Sequence, residues 1–416
     1  MSNGNPELGR SENVPGGGPN GPGGSAPPSH EPMIVGWAHT KFGKSEAPDT
    51  MALMAEVAGP ALAHAGVTAD QVDGIFTGVW NNGFSRQDFQ GALVAMGTPE
   101  LAGVPFMRTE NACATGSAAL YAAADFIASG RGRVALVIGA EKMTATPVAE
   151  VGDILLAASY VPEEAGEGGF AGVFGRIADT YFQRHGDRSE ELAMIAAKNH
   201  ENGMRNPYAH MQKDFGVEFC NTPSEKNPRV AGPLRRTDCS LISDGAAAIV
   251  LADAATAAGL ARAIRFRARA QAGDLLALSR RDPIAFAGAH RAWAEALAQA
   301  GLGIMDLDLV ETHDCFTIAE MIEYEAMGLA APGEGWKVVR DGTTRFDGAL
   351  PVNPSGGLKS RGHPIGATGV SQHVMAAMQL AGEAGAMQVP GAKLAGVFNM
   401  GGAAVANYCS ILERVR

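Results

Sequence analysis

The stretch Ala61-Leu-Ala-His-Ala-Gly66-Val-Thr-Ala-Asp-Gln-Val-Asp73-Gly-Ile-Phe-Thr77-Gly78 has a counterpart later in the chain, Ala296-Leu-Ala-Gln-Ala-Gly301-Leu-Gly-Ile-Met-Asp-Leu-Asp308-Leu-Val-Glu-Thr312-His313. At an offset of 235, seven of eighteen positions are identical. Each copy reads as the end of an alanine-rich helix, a glycine that stops it, and a short apolar strand. A second echo lies at an offset of 253, Ala114-Thr115-Gly116 against Ala367-Thr368-Gly369. Each triplet opens a small-residue helix that leads into an apolar run, Val134–Ala140 in one half and Lys393–Asn399 in the other. Chance could produce either echo alone; two in the same order make the chain a duplicated unit.

Outward from the repeats, strand and helix alternate in both halves. The first half predicts strands at Met33–Gly36, Gly74–Thr77, Val104–Arg108, Val134–Ala140 and Ala246–Ala252. The second predicts Ile264–Ala270, Leu307–Thr312, Leu394–Asn399 and Ala403–Leu412, with a weaker piece at Leu350–Val352. This alternation implies α/β sheets buried under helices. The segment 142–237, with one helical stretch at Ser189–Gly203 and several Pro/Gly-rich loops, reads as an inserted loop domain capping the active face. The organisation is then a Gly/Pro-rich tail over 1–30, an N-terminal half over 31–141 and 238–262, the cap over 142–237, and a C-terminal half over 263–416. The tail has too little apolar content to offset its ordering entropy and is expected to be disordered.

The 416 residues are 46% hydrophobic and 19% charged, enough for a large duplicated core. A net charge of −11 argues against a nucleic-acid partner and against an anionic membrane surface. No apolar run approaches the roughly 20 residues that span a bilayer, and no signal peptide opens the chain. Five cysteines, none in a Cys-x-x-Cys pair, suit neither a disulfide framework nor a structural metal, and imply a cytoplasmic protein with reduced thiols.

Three of the reactive residues stand at turns before helices. Cys113 heads the helix of Cys113-Ala-Thr-Gly116-Ser, where the helix dipole and free N–H groups would lower a thiol's pKa and make it a nucleophile. His363, in Gly362-His363-Pro364-Ile-Gly366, could supply a base, and Cys315 stands in His313-Asp314-Cys315-Phe316. Each has a plainer reading: a small buried core residue for either cysteine, a capping turn for His363, a satisfied loop histidine for His313. The duplication favours the chemical one, because it gives the Cys113 helix and the His363 helix equivalent places facing one cleft.

Taken in order, Asn111-Ala-Cys113-Ala-Thr-Gly-Ser117, Ser243-Asp-Gly245-Ala, His313-Asp-Cys315-Phe316, Gly362-His363-Pro364 and Asn399-Met-Gly401-Gly402 resemble the thiolase family. His-Asp-Cys-Phe looks like the sterol-carrier-protein type. The resemblance covers everything after the tail and implies a thiolase-like, duplicated, layered α-β-α-β-α fold. It implies an acyltransferase that cleaves 3-oxoacyl-CoA with CoA, or runs the reverse Claisen condensation, through an S-acyl intermediate on Cys113. His363 would be the base and an oxyanion donor. Where ordinary thiolases carry a C-terminal Cys-x-Gly, this chain has Asn399-Met-Gly401, and in the sterol-carrier-protein type the second acid/base passes to the cysteine matched by Cys315. His313 would orient a water or donate to the enolate oxygen, and the N–H groups of Cys113 and Gly401 would form the other oxyanion hole.

CoA and acyl-CoA enter as substrates, with no tightly bound cofactor and no metal. Lys226, Arg229, Arg235 and Arg236 are the candidate contacts for the CoA phosphates, against the ordinary reading of such a run as a solvated face. The resemblance also implies a homodimer or a dimer of dimers, and some relatives work with a small zinc-ribbon/OB-fold partner. Three alternatives stay open at this level: an acyl-CoA retro-aldolase acting with such a partner, a non-catalytic scaffold, and a ketosynthase loading a carrier protein. Cys409 reads as core, Cys220 and Cys239 receive no chemical role, and His185, His200 and His210 read as solvated or hydrogen-bonded surface residues.

Overall fold

Val134-Ala-Leu-Val-Ile-Gly-Ala-Glu141 and Gly245-Ala-Ala-Ala-Ile-Val-Leu-Ala-Asp253 are buried along their whole length. Runs of this kind, without polar alternation, are strands covered on both faces. The computed structural model describes residues 30–416, so the expected tail, apart from His30, lies outside the described residues. The strands are β1 (Pro32–His39), β2 (Gly74–Gly78), β3 (Phe106–Thr109), β4 (Val134–Glu141), β5 (Arg229–Ala231), β6 (Leu234–Arg235), β7 (Gly245–Asp253), β8 (Ile264–Gly273), β9 (Leu309–Glu311), β10 (Leu394–Gly401) and β11 (Ala406–Arg414). Nine of them form a mixed sheet in the order β3-β2-β4-β7-β1-β8-β11-β10-β9, and β5 and β6 make a separate hairpin.

That order is a mirror about the β1–β8 seam. β1 matches β8, β7 matches β11, β4 matches β10, and β2 matches β9. The place corresponding to β3 is taken by Val352, which makes a parallel bridge to Val310. The expected piece at Leu350–Val352 is therefore present as one bridge rather than a strand. The seam is short, with Met33 opposite Arg265 and Ile34 opposite Ile264. The last strand begins at Ala406 rather than Ala403, because Gly402 and Ala404 adopt positive φ (63° and 59°) in the turn that follows β10.

The layers follow from the two-residue period of the strands. In the N-terminal half, Leu136, Ile138 and Val250 face the outer helix Thr50–Ala65 through Leu53 and Met54. Their neighbours Val137, Ile249 and Leu251 face the helices Thr115–Ala128 and Ile365–Ala381 at the centre. Val397 and Leu412 of the C-terminal half reach the same central core. Phe398, Cys409 and Ile411 turn the other way, toward Trp293 of the outer helix Ala287–Ala300. The sequence of layers is helix, sheet, paired central helices, sheet, helix.

The two central helices meet through glycine. A Cβ at Gly116 would lie 2.7 Å from Val370 N and 2.9 Å from Gly366 O, and a Cβ at Gly369 would collide with the Ser117 backbone. The two Ala-Thr-Gly echoes are thus packed against each other. Between β4 and β7 the chain builds a cap whose main helices are Phe170–His185 and Ser189–Gly203. The second of these is tied into the C-terminal half by a buried ion pair, Lys198 to Glu320 at 2.5 Å.

Gly369→Ala is expected to destabilise the fold by about 1–3 kcal/mol or more, as overpacking of a close contact does. Gly259→Ala, whose Cβ meets no atom closer than 3.6 Å, should leave the unfolding midpoint nearly unchanged. Denaturant melts of the two variants check this.

Candidate active site

Three loops converge where the central helices begin. Cys113 sits just ahead of the helix Thr115–Ala128, and its loop is held by several polar contacts. Asn111 N–H donates to Thr115 Oγ1 (2.8 Å) and the Asn111 side chain donates to the Tyr408 hydroxyl (2.7 Å). Ala112, immediately before the cysteine, takes φ +48°, a conformation that side chains other than glycine adopt reluctantly. His363 stands just before the helix Ile365–Ala381. Cys315 is carried by the loop after β9, where the Ser240 N–H donates to its carbonyl (2.9 Å).

Asp314 joins the second and third loops. Its carboxylate accepts from the N–H groups of Leu358 (2.6 Å) and Lys359 (3.1 Å) and from the Asn199 side chain (2.8 Å). It thereby caps the short helix Gly357–Arg361 that leads into His363. The Cys315 and His363 loops are joined through this carboxylate. Glu141 does the same for the N-terminal half, accepting from the N–H groups of Trp80, Asn81 and Gly366.

At the centre, one sulfur of Cys113 and one ring nitrogen each of His313 and His363 lie within 4.8 Å of one another. The two imidazoles meet edge to face, with centroids 5.1 Å apart. Cys113, Cys315 and His363 line one cavity of about 300 Å³. Its walls include Val151, Leu155 and Phe170 from the segment between β4 and β7.

Hydrogen bonds decide which ring nitrogens carry protons. The Thr368 hydroxyl donates to Pro364 O (2.9 Å), so it accepts from His363 Nδ1–H (2.7 Å). His363 Nε2 is left bare, the form a base needs. Asn399 Oδ1 accepts from Ser117 Oγ (2.8 Å), which turns its amide nitrogen the other way. The two amide hydrogens go to Cys113 O (3.1 Å) and His313 Nδ1 (2.9 Å). His313 therefore carries its proton on Nε2, which is buried without a partner. An unpaired buried donor at this place is available to a developing oxyanion.

This arrangement does not fit a metal ion. To ligate through Nε2, His313 would need its proton on Nδ1, facing the Asn399 amide donor. Flipping the Asn399 amide would instead set its oxygen against the Cys113 carbonyl. The hydrogen bonds of Asn399 thus suit protonated Nε2 on His313 rather than a ligand nitrogen.

Burial governs the protonation states. It pushes the Cys113 thiol up to about 12, against the pull of the Gly402 and Cys113 backbone N–H groups. It lowers His363 to about 3, with Arg361 adding to the effect, and lowers His313 well below the ordinary value. Cys315 is raised far above the ordinary thiol, first by burial and then by Cys113. The expected thiolate at the helix start is opposed here by desolvation, the largest influence on the Cys113 thiol. Burial thus favours the neutral form of each of these two thiols and two imidazoles.

The other expected contacts divide. Lys226, Arg229 and Arg236 are exposed, and Arg236 stands at the cavity. Arg235 is corrected: it is 2% exposed and fully occupied by Asp238, Asn221 Oδ1 and Ser189 O, so no cation there is free for a phosphate. Gly401 lies at the end of β10 against the Asn111 carbonyl, where a Cβ would clash. The backbone donor beside the thiol is the next residue, Gly402. His200 is also corrected: it is buried at 1% exposure, not on the surface. Cys409 lies in β11 within the core, and Cys239 lines the cavity.

Asn399, Ser117 and Thr368 hydrogen-bond within the candidate site and were not singled out in the sequence reading. The signal for Asn399 was its place two residues before Gly401, where the family's cysteine would stand. Asn399→Asp is expected to draw the His313 proton onto Nδ1 and to lower kcat by about 10²-fold, the usual cost of an oxyanion donor. Histidine nitrogen NMR reads the tautomer, and kcat against KM reads the step affected. For Cys113, a thiol pushed up to about 12 is protonated at neutral pH, and its thiolate fraction grows tenfold per pH unit. Alkylation of the free enzyme by iodoacetamide should climb with pH and show no plateau below about pH 10.

Comparison with known proteins places the chain in a family. The thiolase N-terminal domain model matches residues 32–255, and the thiolase C-terminal domain-like model matches 270–414. An acetyl-CoA acetyltransferase of Methanothermobacter thermautotrophicus is 38% identical over 373 residues, covering 89% of this chain and 96% of the relative. Sterol carrier protein 2 of Bos taurus is 33% identical, covering 89% of this chain and 70% of its own. Among solved structures, the Ltp2–ChsH2 (DUF35) aldolase superposes with a TM-score of 0.80 at 22% identity, covering 93% of this chain and 98% of that one, a likeness of fold. The chain belongs to the thiolase family and is an acyltransferase.

Proposed function

We propose that Cys113, His363, Cys315 and His313 carry out thiolytic cleavage of 3-oxoacyl-CoA and its reverse. The observation that carries this reading is the convergence of Cys113, His313 and His363 within 4.8 Å, with Cys315 on the same cavity. His363 Nε2 takes the Cys113 proton as Sγ attacks the 3-keto carbon, so no free thiolate is needed beforehand. The N–H groups of Cys113 and Gly402 take the tetrahedral oxyanion. The C2–C3 bond breaks, leaving the acyl group on Sγ and an enolate whose oxygen receives the His313 Nε2–H. Cys315, kept protonated by burial, gives its proton to C2 and releases the shortened acyl-CoA. CoA then attacks the thioester as its thiol proton passes to the Cys315 thiolate, His363 returns its proton to Cys113 Sγ, and the new acyl-CoA leaves.

CoA serves as substrate, not as a bound cofactor, and Arg236 at the cavity is its proposed phosphate contact. We place the reaction in the cytoplasm, in line with five free cysteines. No helix among the described residues is long and apolar enough to cross a membrane. A homodimer is proposed through the sheet edge at β3, where Phe106 and Met107 are 42% and 47% exposed. Phe89 and Met96 nearby are exposed as well. An uncovered apolar edge strand is the sort of surface that self-association buries.

Cys113→Ala is expected to abolish cleavage and acyl-enzyme formation. Cys315→Ala should lower kcat for cleavage by about 10²–10⁴-fold, the range of a lost acid/base, while Cys113 still accepts an acyl group from acyl-CoA. Mass spectrometry of the acyl-enzyme and steady-state rates separate the two. The same assay on the purified chain alone shows whether a partner subunit is required. Met107→Asp should shift the protein toward monomer in light scattering; an unchanged mass would remove the β3 edge as the interface.

A further inference from the structure

Two lysines are buried among the described residues, Lys198 and Lys359, and they are neutralised differently. Among those residues the lysines in ion pairs are Lys142, Lys198 and Lys337, with Lys198 held by Glu320 at 2.5 Å. Lys359 is 2% exposed and has no such partner; its Nζ donates to the carbonyl of Cys239. Burying an ammonium without a carboxylate beside it is costly, and the group responds by giving up its proton. Burial accordingly pulls Lys359 down from the ordinary lysine range, toward the neutral amine.

The group beside that amine is a thiol. Four of the five cysteines are buried, and Cys239 is the one partly exposed. It lines the cavity that Cys113 and Cys315 share. An antiparallel bridge to Phe316, with the Ser240 N–H donating to the Cys315 carbonyl (2.9 Å), fixes it against the reacting loop. Burial raises the Cys239 thiol to about 12, no higher than Cys113. Lys359 is the strongest charge acting on Cys239, and Cys239 the strongest acting on Lys359, each favouring the other's charged form. A thiol next to a base is the arrangement that activates a nucleophile.

We propose that Cys239 and Lys359 form a self-acylation site, in which an acyl group from acyl-CoA passes through Cys239 Sγ to Lys359 Nζ. The Lys359 amine takes the Cys239 proton, and the thiolate attacks the thioester carbonyl. The carbon–sulfur bond to CoA breaks, and the departing CoA thiolate takes the proton back from Lys359. Nζ, neutral again, attacks the new thioester on Cys239. That carbon–sulfur bond breaks, an amide forms, and the amine proton goes to Sγ. The sum is acyl-CoA plus amine giving amide plus CoA, with Cys239 restored. Free CoA reverses the first step by thioester exchange but does not cleave the amide. Acyl-Lys359 therefore accumulates when acyl-CoA is abundant and CoA scarce. It removes a cation and adds bulk on the helix Gly357–Arg361 that leads into His363, so the site is a brake on the enzyme. The proposal rests on the reading of acyl-CoA as the ligand of this cavity, and not on Cys113 as the nucleophile.

The test is incubation of the purified chain with acetyl-CoA in the absence of CoA. Peptide mass spectrometry follows, before and after hydroxylamine, which strips thioesters and spares amides. Wild type and Cys113→Ala should both gain a hydroxylamine-resistant acetyl group on Lys359. Cys239→Ala should slow that gain by about tenfold or more, because transfer from an adjacent thioester is lost. Wild type so treated should lose cleavage activity that added CoA does not restore, while Cys239→Ala keeps it. Equal rates of Lys359 acetylation in wild type and Cys239→Ala overturn the relay, and so does acetylation that vanishes in Cys113→Ala. Full activity with Lys359 acetylated overturns its role as a brake. An acetyl group on Cys113 with none on Lys359 overturns the self-acylation site and leaves the thiolase reading intact. No acetyl group on Cys113, Cys239 or Lys359 overturns both.

Discussion

The close approach of the two central helices is the constraint on which the site depends. Gly116 and Gly369 have no side chains to hold the helices apart, and neighbouring backbone fills the space where Cβ atoms would stand. Because each helix carries its reactive residue just before its first turn, this contact sets the distance from Cys113 to His363. Flanking helices and strands then bury the pair. The repeated Ala-Thr-Gly is therefore the joint between the halves. It also repeats a chemical device: Thr115 accepts a backbone N–H of the Cys113 loop, and Thr368 orients the His363 ring.

Burial has a chemical consequence. It holds Cys113 and Cys315 as thiols and His363 and His313 as neutral imidazoles, so charge appears only during the reaction. Donors already oriented in such a dry site need no reorganisation when charge develops. Asn399 is central because one amide group binds the Cys113 carbonyl and fixes the His313 tautomer. A cysteine in that place would make a second thiol; asparagine makes a proton-orienting group and leaves the second thiol to Cys315.

Much of the architecture was legible in the chain. The alternation of helix and strand, the glycine stops after the alanine-rich helices and the continuous apolar runs at β4 and β7 all reflect local physics. The motif residues Cys113, His313, Cys315 and His363 could be named because reactive side chains stand at turns before helices. Strand ends were less legible, since the start of β11 depends on positive φ at Gly402 and Ala404. Arg235 looked like a free cation because a sequence window does not show Asp238, Asn221 and Ser189 folding around it. His200 looked exposed because the helix bearing it carries polar residues on the face that meets the C-terminal half.

By itself the sequence determined a duplicated, layered α/β fold, the residues able to do acyl-transfer chemistry, and the loss of the usual C-terminal cysteine. The fold follows from periodicity and turn residues, which are local, while the reacting set and the missing cysteine follow from the resemblance of the motifs to thiolases. Only the tertiary structure decided that the thiols and imidazoles rest neutral, that Asn399 directs the His313 proton, and that Gly402 stands beside the sulfur. It alone gave the cavity its apolar wall from the cap. Those properties depend on desolvation and on contacts between residues hundreds of positions apart, and neither exists until the two halves close on each other.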